Sequence, residues 1–283
     1  MTEIFLNALT PEQFSKIESR HLLGIGETKD VTSISVKPAL TCLLIQESFN
    51  SVDKFVFSST CATYGEPTRT PISETHVQQP INPYGRTKLM IEQALHDYAT
   101  AYGLQSISLR YFNAAGCDPK LRAGERHDPE THLIPLVLAE ALRLKCGGDP
   151  VETKLEMFGS DLPTPDGTCV RDYIHVSDLA QAHVAVLDHI GNGDGNVTMN
   201  CGYGHGYSVR EVLDVVDQVA ADMLAAAPMT RRPAPRRAGD PASLVADSSR
   251  IRKTLNWQPK YDDLNVMAAT ALAWEKTLLD GMN

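Results

Sequence analysis

The feature that most constrains this 283-residue chain is a long helical segment held between two β-rich runs. Lys54-Phe55-Val56-Phe57 is a short apolar run of strand type, and Gln105 to Tyr111 alternates and is rich in strand formers. Between them Pro83, suited to a first helical position, opens a helix that Gly103 stops near Tyr102. A strand, loop, helix and strand in that order is the rhythm of a parallel α/β sheet. The chain is long enough to bury a large core as one big domain or two small ones.

Downstream, Asp118 to Glu130 reads as loop, Leu133 to Lys145 as helix and Leu155 to Phe158 as strand, followed by a Pro-rich loop from Ser160 to Gly167. Arg171 to Val176 leads into a helix expected to be capped at Ser177 or Asp178. Val197 to Cys201 is a strand, and Ser208-x-x-Glu211 is a capping box opening a helix to Ala220. Arg231 to Asp240 reads as a basic loop and Asp247 to Leu255 as a short helix; upstream, residues 40–48 form a plausible short helix. Gly202-x-Gly204-x-Gly206 superficially invites a dinucleotide site. Its spacing is not G-x-G-x-x-G and no acidic strand end follows about 20 residues on, so a tight strand-to-helix turn is the better reading.

The net charge of −9 argues against general nucleic-acid affinity. No apolar stretch of about 18 residues predicts a membrane span. The first residues lack a basic region followed by an apolar one, so no secretory signal is expected. Six scattered cysteines (42, 61, 117, 146, 169, 201) form no C-x-x-C, which suits free thiols in a reducing cytoplasm.

The chemistry concentrates at Tyr84-Gly85-Arg86-Thr87-Lys88 and at Phe57-Ser58-Ser59-Thr60. Tyr84 and Lys88 lie one turn apart on one helix face. An ammonium beside a phenol lowers its pKa from the usual value of about 10, so Tyr84 is expected to take a proton from a substrate hydroxyl near neutral pH. Thr60, ending the first strand, is placed to relay that proton. This is alcohol–carbonyl redox chemistry, and it needs a hydride acceptor. His127 and His132, five apart in a polar loop, suggest a metal, but no Cys or carboxylate arrangement supports one. They are expected to be loop histidines, with no metal.

Seven stretches in order carry a likeness: Phe57 to Gly65, Asn82 to Lys88, Leu109 to Gly116, His132 to Pro135, Phe158-Gly159, Asp166 to Val176 and Ala234 to Asp240. With them the chain resembles the nucleotide-sugar epimerase branch of the extended short-chain dehydrogenase/reductase family over about 52 to 280. The resemblance implies a Rossmann-type doubly wound parallel sheet with a smaller, interleaved C-terminal substrate lobe. It implies NAD-dependent 4-epimerisation of UDP-glucose and UDP-galactose, with UDP-arabinose and UDP-xylose as the alternative sugars. Tyr84, Lys88 and Thr60 fall at its catalytic positions. Thr60, Tyr84, Lys88 and Phe112 fall at cofactor-contacting ones. Asn113, Leu133, Phe158, Arg171, Arg237 and Asp240 fall at UDP-contacting positions, and Leu244 where side-chain size limits N-acetylated sugars. Arg suits a diphosphate because its fork donates two bonds at once. Dehydratases of the family carry Asp-Glu directly after the threonine; Cys61-Ala62 here cannot expel water in that way. By analogy, a homodimer is expected through the helix bearing Tyr84.

The family's glycine-rich turn, which brings helix-terminal N–H groups onto the pyrophosphate, has no counterpart in residues 1–50. Gly24-Ile25-Gly26 offers only two glycines, and the family's Asn-Asn-Val falls on Ser35-Val36-Lys37. The expected division is an atypical segment over 1–50, the rest of an NAD-binding domain over 51–116 with 168–206 returning to it, and a substrate lobe from 117–167 and 207–283. Two readings of the activity stay open: an altered version of an active epimerase, or a non-catalytic UDP-sugar-binding protein.

Overall fold

The computed structural model describes residues 54–149, 152, 153, 155–191 and 196–280. The expected helix over 40–48, the Gly24-Ile25-Gly26 segment and the join near residues 51–53 lie outside the described residues.

Strand β1 (Lys54–Thr60) runs into a single 3-10 turn over Cys61–Tyr64, and helix α1 (Pro83–Tyr102) follows a long loop. Asn82 caps α1, its side chain accepting from the Gly85 amide at 2.8 Å, and Gly103 ends it with φ +75°. Strand β2 (Gln105–Tyr111) returns parallel to β1, with Thr60 opposite Tyr111. Strands β3 (Asn113–Ala115), β4 (Glu156–Phe158), β5 (Val170–Arg171) and β6 (Tyr173–His175) are short. Strand β7 (Val197–Cys201) lies parallel on the far side of β2, giving the order β1-β2-β7 among the described residues.

Helices cover both faces of this sheet, as parallel sheets require. The pleat sorts the side chains. Phe57 and Ser59 face α1, where Phe57 packs with Ile91, Leu95 and Leu104. Val56, Ile107, Leu109 and Tyr111 face helix α3 (Val176–Gly191) and join the main core with Leu179, Ala182 and Val186. Helices α2 (Leu133–Lys145), α4 (Val209–Leu224) and α6 (Leu264–Asp280) pack on one another and extend the same core. Strands β8 (Tyr207–Ser208), β9 (Arg232–Ala234) and β10 (Ser243–Leu244) complete small sheets, β10-β5-β8 and β4-β9, while β3 pairs with β6. Helix α5 (Ser249–Leu255) is short. No described helix is long and apolar enough to cross a membrane.

Several local expectations change. Helix α3 starts at Val176 and is not capped by Ser177 or Asp178. The Ser177 amide instead donates to His175 Nδ1 at 3.1 Å. Asp178 is drawn away by the amides of Lys260 and Tyr261 and by the Tyr203 hydroxyl. The Arg231–Asp240 loop contains β9, and Arg231 bonds Asp214 and Asp217 of α4, which secures that strand. Helix α4 runs past Ala220 to Leu224, and its capping box forms as expected. The Gly202-x-Gly204-x-Gly206 run is a turn whose amides point inward. Asp172 accepts from Tyr203 N at 2.9 Å and Gly204 N at 3.0 Å. Those donors are therefore closed to a phosphate.

His183 on α3 is fully enclosed between Ser58 Oγ (2.9 Å) and the Leu179 carbonyl (2.9 Å). Burial holds its pKa down at about 4. An unfolded histidine titrates near 6.5. Between pH 7 and 5 the unfolded chain therefore takes up a proton that the folded chain refuses, and stability falls as pH falls, by about 2 kcal/mol for this group. Urea melts at the two pH values should show His183→Gln losing that share of the slope. Parallel slopes for the two proteins would refute the assignment.

Candidate active site

Thr60 ends β1 at the carboxyl edge of the sheet, the usual place for ligands in an open α/β fold. The 3-10 turn brings α1 directly against this edge. A side chain at Gly85 would strike the Ala62 carbonyl at 2.4 Å, so only glycine lets the helix sit this close. That approach brings Tyr84 and Thr60 together on the wall of one cavity. Thr60 Oγ1 also accepts from the Ala62 amide at 3.2 Å, so one side chain both caps the turn and meets the tyrosine.

Lys88 does not sit where the sequence places it. Its ammonium donates to the Ser58 carbonyl at 2.9 Å and lies 5.0 Å from the Phe57 ring centre and 5.7 Å from that of Tyr84. Tyr84 is 47% exposed, but desolvation of its phenol still pushes its pKa up from the usual value, the Thr60 hydroxyl opposes this, and Lys88 does not reverse it. Burial likewise lowers Lys88. The expected depression of Tyr84 is absent because the cation is held at a backbone carbonyl, under the ring and not at its oxygen. An ammonium has three donors, so Lys88 retains capacity for a bound hydroxyl.

A cavity of about 320 Å³ opens at this point, lined by Thr60, Cys61, Tyr84, Tyr111, Phe112 and Asn113 on one side and by His132, Leu133, Trp274 and Glu275 on the other. Cys61 stays a thiol, since burial pushes it up to about 12. Trp274 and Glu275, on α6, were not singled out by sequence. They reach the site only through the packing of α6, and the signal for that helix is the apolar spacing Leu264, Met267, Ala268 and Leu272.

A second cavity, of about 420 Å³, adjoins the first and shares Asn113, His132, Leu133 and Tyr173 with it. Its wall brings together six sequence-predicted residues: Asn113, Leu133, Phe158, Arg171, Arg237 and Asp240. Arg237 stacks its guanidinium 3.8 Å from the Phe158 ring centre. Arg171 is buried, paired with Asp240, and also donates to the Val170 and Pro241 carbonyls at 2.7 Å. Arg236 is occupied with Asp161 at 2.7 Å. Leu244 does not reach either cavity wall. It is buried behind Cys61 and Phe112, because its place in β10 beside Arg171 turns it into that small cluster.

The loop histidines also differ from expectation. The Trp274 indole donates to the Glu125 carbonyl at 2.9 Å, and Glu130 accepts the Thr131 and His132 amides at 2.6 and 2.7 Å. These bonds fold the loop so that Glu125 and Glu130 both face His127 and His132. The carboxylates that the sequence did not place are therefore present. They raise His132 to about 8, Glu125 first.

Glu92 was also missed. It lies two turns beyond Tyr84 on the same face of α1 and accepts from Ser59 Oγ (2.5 Å), Gln78 Nε2 (3.0 Å) and the guanidinium of Arg110 (Nε at 2.9 Å). The signal was Arg110, a charge inside an otherwise strand-like run.

A family model described as the NAD dependent epimerase/dehydratase family matches residues 28–202. A UDP-glucose 4-epimerase of Azospirillum brasilense is 50% identical over 227 residues, 80% of this chain and 62% of that protein. One from Halalkalibacterium halodurans is 48% identical over 227 residues, 80% of this chain and 64% of that protein. The chain thus spans less than two thirds of the length of either relative. The structure of UDP-glucose 4-epimerase from Bifidobacterium longum in complex with NAD+ and UDP superposes with a TM-score of 0.75 at 34% identity, covering 94% of this chain and 72% of that one.

Proposed function

The chain belongs to the NAD dependent epimerase/dehydratase family, and we propose that it carries the proton-transfer and UDP-sugar-binding parts of NAD-dependent 4-epimerisation of UDP-glucose and UDP-galactose. The observation that carries this reading is the meeting of Thr60 and Tyr84 on the wall of one cavity that adjoins a second one lined by Arg171, Arg237 and Asp240.

The first cavity would take the nicotinamide end of NAD, with Thr60 and Phe112 in its wall, and Lys88, which spends one donor on the Ser58 carbonyl, would have others to offer it. NAD, when bound, supplies the acceptor and later the donor of the hydrogen at sugar C4. Tyr84 takes the proton of the sugar 4-hydroxyl and gives it back, and Thr60 holds the same oxygen. Arg237, stacked on Phe158, offers its fork to the diphosphate. Asp240, braced by Arg171, accepts from ribose hydroxyls. Because these grips fall on the nucleotide, the sugar stays free to turn and present its other face. Cys61 and Ala62, where dehydratases place acid–base side chains, leave elimination without a proton donor. We assign 51–116 and 168–206 to the cofactor side, and 117–167 and 207–283 to the substrate side.

The test is conversion of UDP-galactose to UDP-glucose by the purified chain with NAD added. Arg237→Ala is expected to raise KM roughly 10- to 100-fold with kcat little changed, the loss of one or two charge-assisted hydrogen bonds made equally in ground and transition states. A folded protein that binds UDP without turnover would leave only the binding-protein reading.

A further inference from the structure

We propose that Glu125, His127, Glu130 and His132 form a binding site for one divalent cation of the zinc class, a clasp between the 118–130 loop and the start of α2. One ligand atom from each of the four lies within 4.8 Å of all the others. His132 Nδ1 is 2.7 Å from Glu125 Oε1 and 2.9 Å from Glu130 Oε1. His127 Nδ1 is 3.1 Å from Glu125 Oε1 and 3.6 Å from Glu130 Oε2.

The donor set points to zinc and away from harder cations. Two imidazoles with two carboxylates suit a borderline-soft ion, whereas calcium and magnesium take oxygen shells. Around tetrahedral zinc, ligand atoms at about 2.0–2.2 Å lie roughly 3.3 Å from one another. The observed separations bracket that figure, so small side-chain rotations admit the ion.

A second observation comes from His127 itself. Its Nδ1 atom is buried and lacks a hydrogen-bond partner, although two carboxylates face it. A ring nitrogen aimed into a cluster without a usable bond is costly and has its natural use as a ligand. The outer supports are in place as well. Glu125 is tethered through its carbonyl to Trp274, and Glu130 through the Thr131 and His132 amides. Such partners orient ligands.

Four protein ligands close the shell, the mark of a structural site and not of a catalytic one. The ion joins a loop to the N-terminus of α2 where His132 borders both cavities. It therefore fixes the wall between them and takes no part in the chemistry.

Chelator-stripped protein should be titrated with zinc by calorimetry and with cobalt(II) by visible absorption. One ion per chain is expected, with tetrahedral cobalt bands and a thermal midpoint that rises with zinc concentration. His127→Ala and Glu130→Gln should each weaken binding more than about 100-fold, beyond the 10- to 100-fold that losing an outer support costs. Glu130→Gln keeps an oxygen for the two amides, so it reports ligand loss even where His127→Ala fails to fold by circular dichroism. Cys146 is an exposed thiol that competes for zinc, and binding should persist in Cys146→Ser. Absence of stoichiometric binding, its loss in Cys146→Ser, or unchanged affinity in Glu130→Gln would overturn the assignment.

Discussion

Tyr84→Phe is expected to lower UDP-galactose turnover by about 10²- to 10⁴-fold, the usual worth of a positioned proton-transfer group, while UDP affinity stays within a few-fold. The change removes one oxygen and leaves the ring. The lining of the second cavity does not include Tyr84, so nucleotide binding has no reason to fall. The two readouts are kcat by a coupled assay and Kd for UDP by calorimetry. A variant that retains more than a tenth of wild-type turnover would remove Tyr84 from the proton-transfer role. Burial places the phenol above its usual pKa. A base of that kind gives a rate that rises with pH through the alkaline range. Lys88→Met is expected to leave that limb where it is, since the ammonium rests at the Ser58 carbonyl and not at the phenol oxygen. A limb moved toward high pH would show that Lys88 favours the phenolate.

What the sequence disclosed follows from what is local. The bounds of α1 were legible because Asn82-Pro83 and Gly103 act through their own backbone. The capping box at Ser208 and Glu211 was legible for the same reason. The six residues of the second cavity came from motif likeness, not from any physical property visible along the chain. Properties that depend on packing were not legible. Lys88 is near Tyr84 in sequence, yet the Ser58 carbonyl decides where its charge rests. The cap of α3 went to His175 because Asp178 had better partners 82 and 83 residues away. Leu244 lies one layer behind the cavity, a depth that no pattern encodes. The carboxylates around His127 and His132 were in view as letters, but a tether to Trp274 on a distant helix is what gathers them.

Glu92→Ala is expected to destabilise the protein by about 3–5 kcal/mol, the cost of breaking a buried ion pair from one side. Both side chains are nearly inaccessible, at 7% exposure for Glu92 and 5% for Arg110. Losing the carboxylate strands the guanidinium, which retains only the Tyr64 hydroxyl at 2.9 Å and the Glu74 carbonyl at 3.3 Å. Urea melts measure the loss. Replacing both partners, Glu92→Leu with Arg110→Met, should cost much less than Glu92→Ala alone, because no buried charge is left without a partner. A loss below about 1 kcal/mol for the single variant would mean water reaches the pair. The same contact bears on catalysis. Tyr84, Lys88 and Glu92 follow one another at four-residue steps, and each meets the end of β1 or β2: Thr60, the Ser58 carbonyl, and Ser59 with Arg110. We therefore propose Glu92 as a positioning residue that holds the Tyr84 face of α1 down on the sheet. The double variant should recover stability yet not full kcat, with KM for the UDP-sugar unchanged. Full recovery of kcat would show that apolar packing alone sets the helix in place.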